Sequence, residues 1–169
     1  MHRVRGFEKV SYEQFKKDIV DEFYLEDGEY IKQIYDELNL PTRATAHSSG
    51  YDIESTLTFD LAPNEEIKLP TGFKSYMQMD EWLMIIPRSG LGFKYYTRLA
   101  NTIGNGDSDF YNNEGNQGHY WVKIRNEGDK TLSIKRGDAI AQCLFQKYLI
   151  ADGDNFKGNK RVGGLGSTS

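Results

Sequence analysis

The 169-residue chain is 38% hydrophobic, 27% charged and 13% aromatic, a balance that excludes a disordered protein. Its net charge of −4 excludes a general polyanion-binding surface, so no direct nucleic-acid contact is expected. The lone Cys143 excludes an internal disulfide, the N-terminal MHRVRGFEKV lacks a signal peptide's apolar centre, and no stretch approaches ~18 apolar residues, which predicts a cytoplasmic protein without membrane contact.

Residues 11–38 read as helical within a single domain spanning 1–169. Ser11 followed three residues later by Gln14 is a capping-box signature, and Phe15, Ile19 and Phe23 recur at steps of four. Tyr30, Ile31, Ile34, Tyr35 and Leu38 make a second stripe, with Gly28 expected to separate the two helices. Pro41 ends this region, because the residue before a proline is pushed out of helical geometry. From there the pattern is short strands and turns. YDIESTLTFDL alternates, EIKLPTGFKSYM follows, and EWLMIIP reads as a strand buried on both faces. HYWVKIRN alternates Tyr120, Val122 and Ile124 against Trp121, Lys123 and Arg125, and DAIAQCLFQKYLI is a long last strand. Arg136-Gly137-Asp138 reads as a turn into that strand rather than an adhesion tripeptide. Such strands, with no helices between them, predict an all-β sandwich or barrel of jelly-roll type with an extra N-terminal helical segment.

Common catalytic signatures are missing. His2, His47 and His119 lie far apart without metal-ligand spacing and read as surface or supporting residues. Glycine-flanked polar clusters fall instead at strand ends: AHSSGYDI with Asp52, PRSGLG with Arg88, Ser89 and Gly90, NTIGNGDSDF with Asn101, Gly104, Asp107 and Asp109, and GDAIAQ with Gln142. The terminal RVGGLGSTS adds Arg161, Ser167 and Thr168. Each alone is an ordinary turn. Together they supply cations, hydroxyls and approachable backbone N–H groups for phosphate oxygens, and carboxylates to orient a water. That combination suits polyphosphate hydrolysis, with Mg2+ on the substrate's own oxygens.

SSGYDI, PRSGLG, NTIGNGDSDF, GDAIAQ and VGGLGSTS, in this order, resemble the motifs of the trimeric dUTPases, which hydrolyse dUTP to dUMP and pyrophosphate. The resemblance runs from about Leu40 to Ser169. It implies a jelly-roll homotrimer with shared active sites, in which one subunit's tail closes over another's pocket. It also implies that Asp107 holds and activates the attacking water, while Asn101 and the hairpin through Gly104 read the uracil edge. Phe110 would pack on the sugar. Arg88, Ser89, Gly90 and Gln142 would bind the phosphates, and Asp52 would support their network. The lid at 160–169 would bring Arg161, Leu165, Gly166, Ser167 and Thr168, and Mg2+ would bind through the triphosphate and water with no protein ligand.

Departures from the family pattern are local. Phe110 stands where tyrosine is usual, Leu165 replaces the base-capping phenylalanine, and Arg161 lies two rather than three residues before Gly163, where Lys160 takes the usual place. The link Tyr111–Gly118 is long, and the helices at 11–38 are additional. Two alternatives follow. A dCTP deaminase shares the fold, and a regulatory dUTPase-fold protein would use the added segments to bind a protein partner.

Overall fold

The computed structural model describes residues 3–158, 161 and 163. Strand β1 (Gly6–Lys9) leads into helices α1 (Tyr12–Phe23) and α2 (Gly28–Glu37). Ser11 Oγ accepts the Gln14 N–H at 3.2 Å, half of the predicted capping box. The other half comes from outside the helix. Gln117 Oε1 accepts the Ser11 N–H at 2.9 Å and its Nε2 donates to Ser11 Oγ at 3.0 Å, while Gln14 Nε2 turns to Asp18. Gly28 is the first residue of α2 rather than a separator, since Asp27 Oδ1 caps that helix by accepting the Tyr30 N–H at 3.0 Å.

The helices bury Phe15, Ile19, Ile31 and Ile34 with Val10 in a cluster of their own, and Phe23 and Leu57 also touch the main core. A second tie is polar. His119, expected at the surface or in a supporting role, is fully buried; its Nε2 accepts the Gly72 N–H at 2.7 Å. Its proton therefore sits on Nδ1, which donates to Asp18 Oδ2 of α1 at 2.6 Å. Burial holds the imidazole below its ordinary pKa.

The β body follows as β2 (Tyr51–Glu54), β3 (Phe59–Leu61), β4 (Glu66–Pro70), β5 (Phe73–Tyr76) and β6 (Glu81–Pro87). After helix α3 (Ser89–Tyr95) come β7 (Thr97–Leu99), β8 (Gly104–Asp107), β9 (Trp121–Asn126), β10 (Leu132–Ile134) and β11 (Ala139–Lys147). The sheets run β2-β11-β6-β8 and β4-β9-β7, with two-stranded pairs β1-β5 and β3-β10, all antiparallel. Ile53, Leu69, Phe73, Leu83, Val122, Ile124 and Cys143 fill the core between them. This is an all-β jelly-roll sandwich with an N-terminal helical segment.

Two readings from the sequence change. EWLMIIP is not covered on both faces: Leu83 and Ile85 are buried while Trp82, Met84 and Ile86 are half-buried on the other side. PRSGLGF does not simply turn, because Ser89–Tyr95 is a helix. Gly90 and Gly92 mask it in the sequence, each costing helix propensity of about 1 kcal/mol relative to alanine.

Candidate active site

Two groups of predicted site residues gather on the β2-β11-β6-β8 sheet. In the first, the register sets Gln142 opposite Asp52 on one side and Ile86 on the other. Gln142 Nε2 donates to Asp52 Oδ1 at 3.0 Å, and Arg88 Nε lies 3.7 Å from the same oxygen. Asp52 thus orients both a side-chain amide and a guanidinium. Ser89 and Gly90 begin α3 directly after Arg88. A Cβ added at Gly90 would meet nothing within 4 Å, so no neighbour in the chain demands glycine there.

The second group surrounds the β8 hairpin. Asn101 opens a turn in which Ile103 N–H reaches the Asn101 carbonyl at 2.6 Å and Thr102 takes a positive φ of 64°. Gly104 lies opposite Ile85 so closely that a Cβ would approach the Ile85 side chain to 3.0 Å. Asp107 ends the strand opposite Trp82, and the single 3-10 turn Ser108–Phe110 brings Phe110 back into the core. Asn101, Gly104 and Phe110 line a cavity of about 70 Å³ with Ile85, Asn105, Gly106, Tyr120, Trp121 and Arg161.

Arg161 closes this cavity. Its Nη1 donates to Asp107 Oδ2 at 3.0 Å and lies 3.8 Å from Asp109 Oδ1, and its guanidinium sits 5.1 Å from the centroid of the Phe110 ring. The Arg161 side chain is 12% exposed against 52% for Asp107, so the cation is the sheltered partner. Ligand pockets run to roughly 300 Å³ or more, so with Arg161 in place the cavity is smaller than an ordinary ligand site. Lys160, Leu165, Gly166, Ser167 and Thr168, the rest of the predicted lid, lie outside the described residues.

The two groups stay apart within one chain. Gln142 pairs with Ile86 and Asp107 with Trp82, which separates them by about 13 Å along β6 and about 10 Å across two strand spacings. The cavity beside Phe110 is lined by none of Asp52, Arg88 and Gln142. Beside Asp107, an open and mostly apolar depression is formed by Trp82, Ile103, Asn105 and Tyr148.

Sequence reasoning did not find Tyr120, Gly106 or Trp121 as pocket walls. The alternation of HYWVKIRN already put Tyr120 on the inward phase with Val122 and Ile124, but an inward aromatic reads as core. Only the hairpin packed over it makes it a wall.

The dUTPase family profile matches residues 36–168. The deoxyuridine 5′-triphosphate nucleotidohydrolase of Lactococcus lactis is 43% identical over 132 residues, covering 78% of this chain and 88% of that protein. That of Photorhabdus laumondii is 40% identical over 124 residues, 71% and 77% of the two chains. Among solved structures, a dUTPase from Streptococcus mutans superposes with a TM-score of 0.66 at 32% identity, covering 88% of this chain and 99% of its own. A mutant dUTPase of phage phi11 of S. aureus, for which coordination of a structural Mg(II) ion is described, shares the fold with a TM-score of 0.61 at 16% identity, covering 94% and 100%. The glycine-flanked clusters on this jelly roll, the span of the profile match and the identity to these relatives lead to one conclusion: the chain belongs to the dUTPase family.

Proposed function

We propose that the protein hydrolyses dUTP to dUMP and pyrophosphate, which supplies dUMP and limits uracil incorporation into DNA. The observation that carries this reading is the carboxylate of Asp107 at the mouth of the hairpin cavity, held at 3.0 Å by a cation from the chain's end. A triphosphate competes for that cation. Once Arg161 turns to phosphate, Asp107 is free to accept a proton from a water and aim it at the α-phosphorus, in line with the departing pyrophosphate. Asn101 and the backbone through Gly104 read the uracil edge, and Phe110 packs on the sugar. Arg88, Ser89, Gly90 and Gln142 hold the phosphates, with Asp52 orienting Arg88 and Gln142, and the lid adds Leu165, Gly166, Ser167 and Thr168.

Mg2+ would be held by the nucleotide's phosphate oxygens and water, beside the residues that bind the phosphates. Hard cations take oxygen ligands, and an ion bound there would supply neutralisation of the charge on the departing pyrophosphate. The donor set of the chain suits this arrangement. The Asp107 and Asp109 carboxylates face the Arg161 guanidinium, at 3.0 and 3.8 Å.

The working unit in this proposal is a homotrimer with shared sites. Phosphate-binding and water-holding residues lie too far apart in one chain to meet around one nucleotide, so a second copy brings its own group. Trp82, Met84 and Ile86 are half-covered, and exposed Ile103, Tyr148, Leu149 and Ile150 lie in or next to the depression beside Asp107, which is the apolar surface such a copy would cover. No described helix is long and apolar enough to cross a membrane. The buried free thiol of Cys143 supports a reducing, cytoplasmic setting.

The test is pyrophosphate release from dUTP, dTTP, dCTP and UTP with and without Mg2+. Mg2+-dependent release selective for dUTP is expected. Equal release from all four overturns the reading, and ammonia from dCTP assigns a deaminase instead.

A further inference from the structure

Tyr120 is a core-buried tyrosine whose hydroxyl has no partner among the described residues. The residue is 4% exposed, and everything else about it is fixed. Its N–H donates to the Phe73 carbonyl at 3.0 Å, and its own carbonyl accepts from the N–H and hydroxyl of Thr71 at 3.1 and 2.7 Å. Its ring is clamped between Phe73, stacked at 5.4 Å, and Phe110 at 5.0 Å. The hydroxyl therefore has no freedom to seek a partner elsewhere. A phenylalanine would fill the same space without leaving a buried polar oxygen unpaired, which is a destabilising state.

The hairpin makes room for that oxygen. A Cβ built at Gly106 would overlap the Tyr120 hydroxyl, so the glycine before Asp107 is what admits it. Tyr120 is also a wall of the cavity closed by Arg161. Its hydroxyl lies at the Gly106 end, next to Asp107 and beside the Phe110 ring, whereas Asn101 stands at the other end of the hairpin.

We propose that Tyr120 is a specificity-determining residue whose hydroxyl hydrogen-bonds the 3′-hydroxyl of the deoxyribose once the nucleotide has displaced Arg161. This rests on the dUTP reading, in which the Phe110 ring packs on the sugar and Asn101 reads the base. A 3′-hydroxyl both donates and accepts, so it satisfies a phenol held in one orientation. The bond forms on binding and is retained through phosphorus chemistry, so it acts on KM more than on kcat.

The experiment compares dUTP with 2′,3′-dideoxyuridine triphosphate in the parent and in Tyr120→Phe. In the parent, the dideoxynucleotide should have a KM higher by about three- to tenfold, the range of one neutral hydrogen bond. In Tyr120→Phe, KM for dUTP should rise by a similar factor with kcat nearly unchanged, and the difference between the two nucleotides should collapse. The nucleotide-free variant should melt at or above the parental temperature, because no internal bond is lost. An unchanged dUTP-to-dideoxy ratio in Tyr120→Phe overturns the proposal alone, as does a lowered melting temperature in the nucleotide-free variant. Absence of dUTP turnover in the parent overturns the dUTP reading, and this proposal with it.

Discussion

At the scale of single residues, Asp107 and Gly90 separate function from folding. The Asp107 side chain is half-exposed at a strand end and, among the described residues, bonds only to Arg161, so the β body does not depend on it. Asp107→Asn should leave dUTP binding within a few-fold of the parent while lowering kcat by about 10²–10⁴, the range for a positioned general base; equilibrium binding and pyrophosphate release read the two effects separately. Gly90 has open space around its Cβ position, so Gly90→Ala should keep or raise the melting temperature through helix propensity of up to about 1 kcal/mol. If its backbone approaches a phosphate, the same variant should raise KM for dUTP. An unchanged KM would remove Gly90 from the phosphate site.

At the scale of elements, helix α1 is tied to the sheet by the long link 111–118 and the residue after it. Gln117 completes the Ser11 cap, and His119 joins Asp18 to the Gly72 N–H. Gln117→Ala removes two hydrogen bonds and should cost about 1–2 kcal/mol, with the first turn of α1 losing amide-exchange protection first. His119 confers a pH dependence whose sign is set by its acceptor nitrogen. The imidazole must be neutral to accept from Gly72, and burial keeps its folded-state pKa below the ordinary 6.5. The unfolded chain therefore takes up a proton as pH falls below about 6.5 while the folded chain resists it. This contribution is fully present above pH 6.5 and is lost as pH falls from there toward the folded pKa. Thermal melts should show a midpoint falling between pH 7 and 5.5, and His119→Gln should be less stable at pH 7 but flatter across that interval. At lower pH the Glu81 carboxylate, held below its usual range by Arg5, adds a further loss.

At the scale of the whole molecule, the separation of the two residue groups makes a prediction about assembly. Variants Arg88→Ala and Asp107→Asn should each be inactive alone. If one copy supplies Arg88 and another Asp107, oligomers re-formed from an equal mixture should regain on the order of a quarter of parental turnover, since a quarter of interfaces then hold both intact groups. No recovery after subunit exchange, verified by mass, would return the site to a single chain. Removal of residues 160–169 takes away Arg161 and the glycine-serine end together. The folded body should persist, since its core involves residues before Lys147, and turnover should fall to a small residue of the parental rate.

Much of this protein is legible in the sequence because short-range physics writes it there. Strand alternation follows from the two-residue period of β-structure, helix stripes at Phe15-Ile19-Phe23 and Ile31-Ile34 from the 3.6-residue period, and turns from Gly and Asp chemistry. The order of the polar clusters also sufficed to identify the family. Contacts distant in sequence were not legible. Gln117 replaces Gln14 in the cap across 106 residues, His119 is buried because a helix a hundred residues earlier covers it, and α3 forms despite its glycines. The gap between the two site groups and the Tyr120 hydroxyl above Gly106, unpartnered among the described residues, depend on which strands lie side by side, and the pairing of Arg161 with Asp107 on where the chain runs after the last strand. Local periodicity determines what each segment becomes, and the packing of strands, helices and loops decides which distant side chains meet.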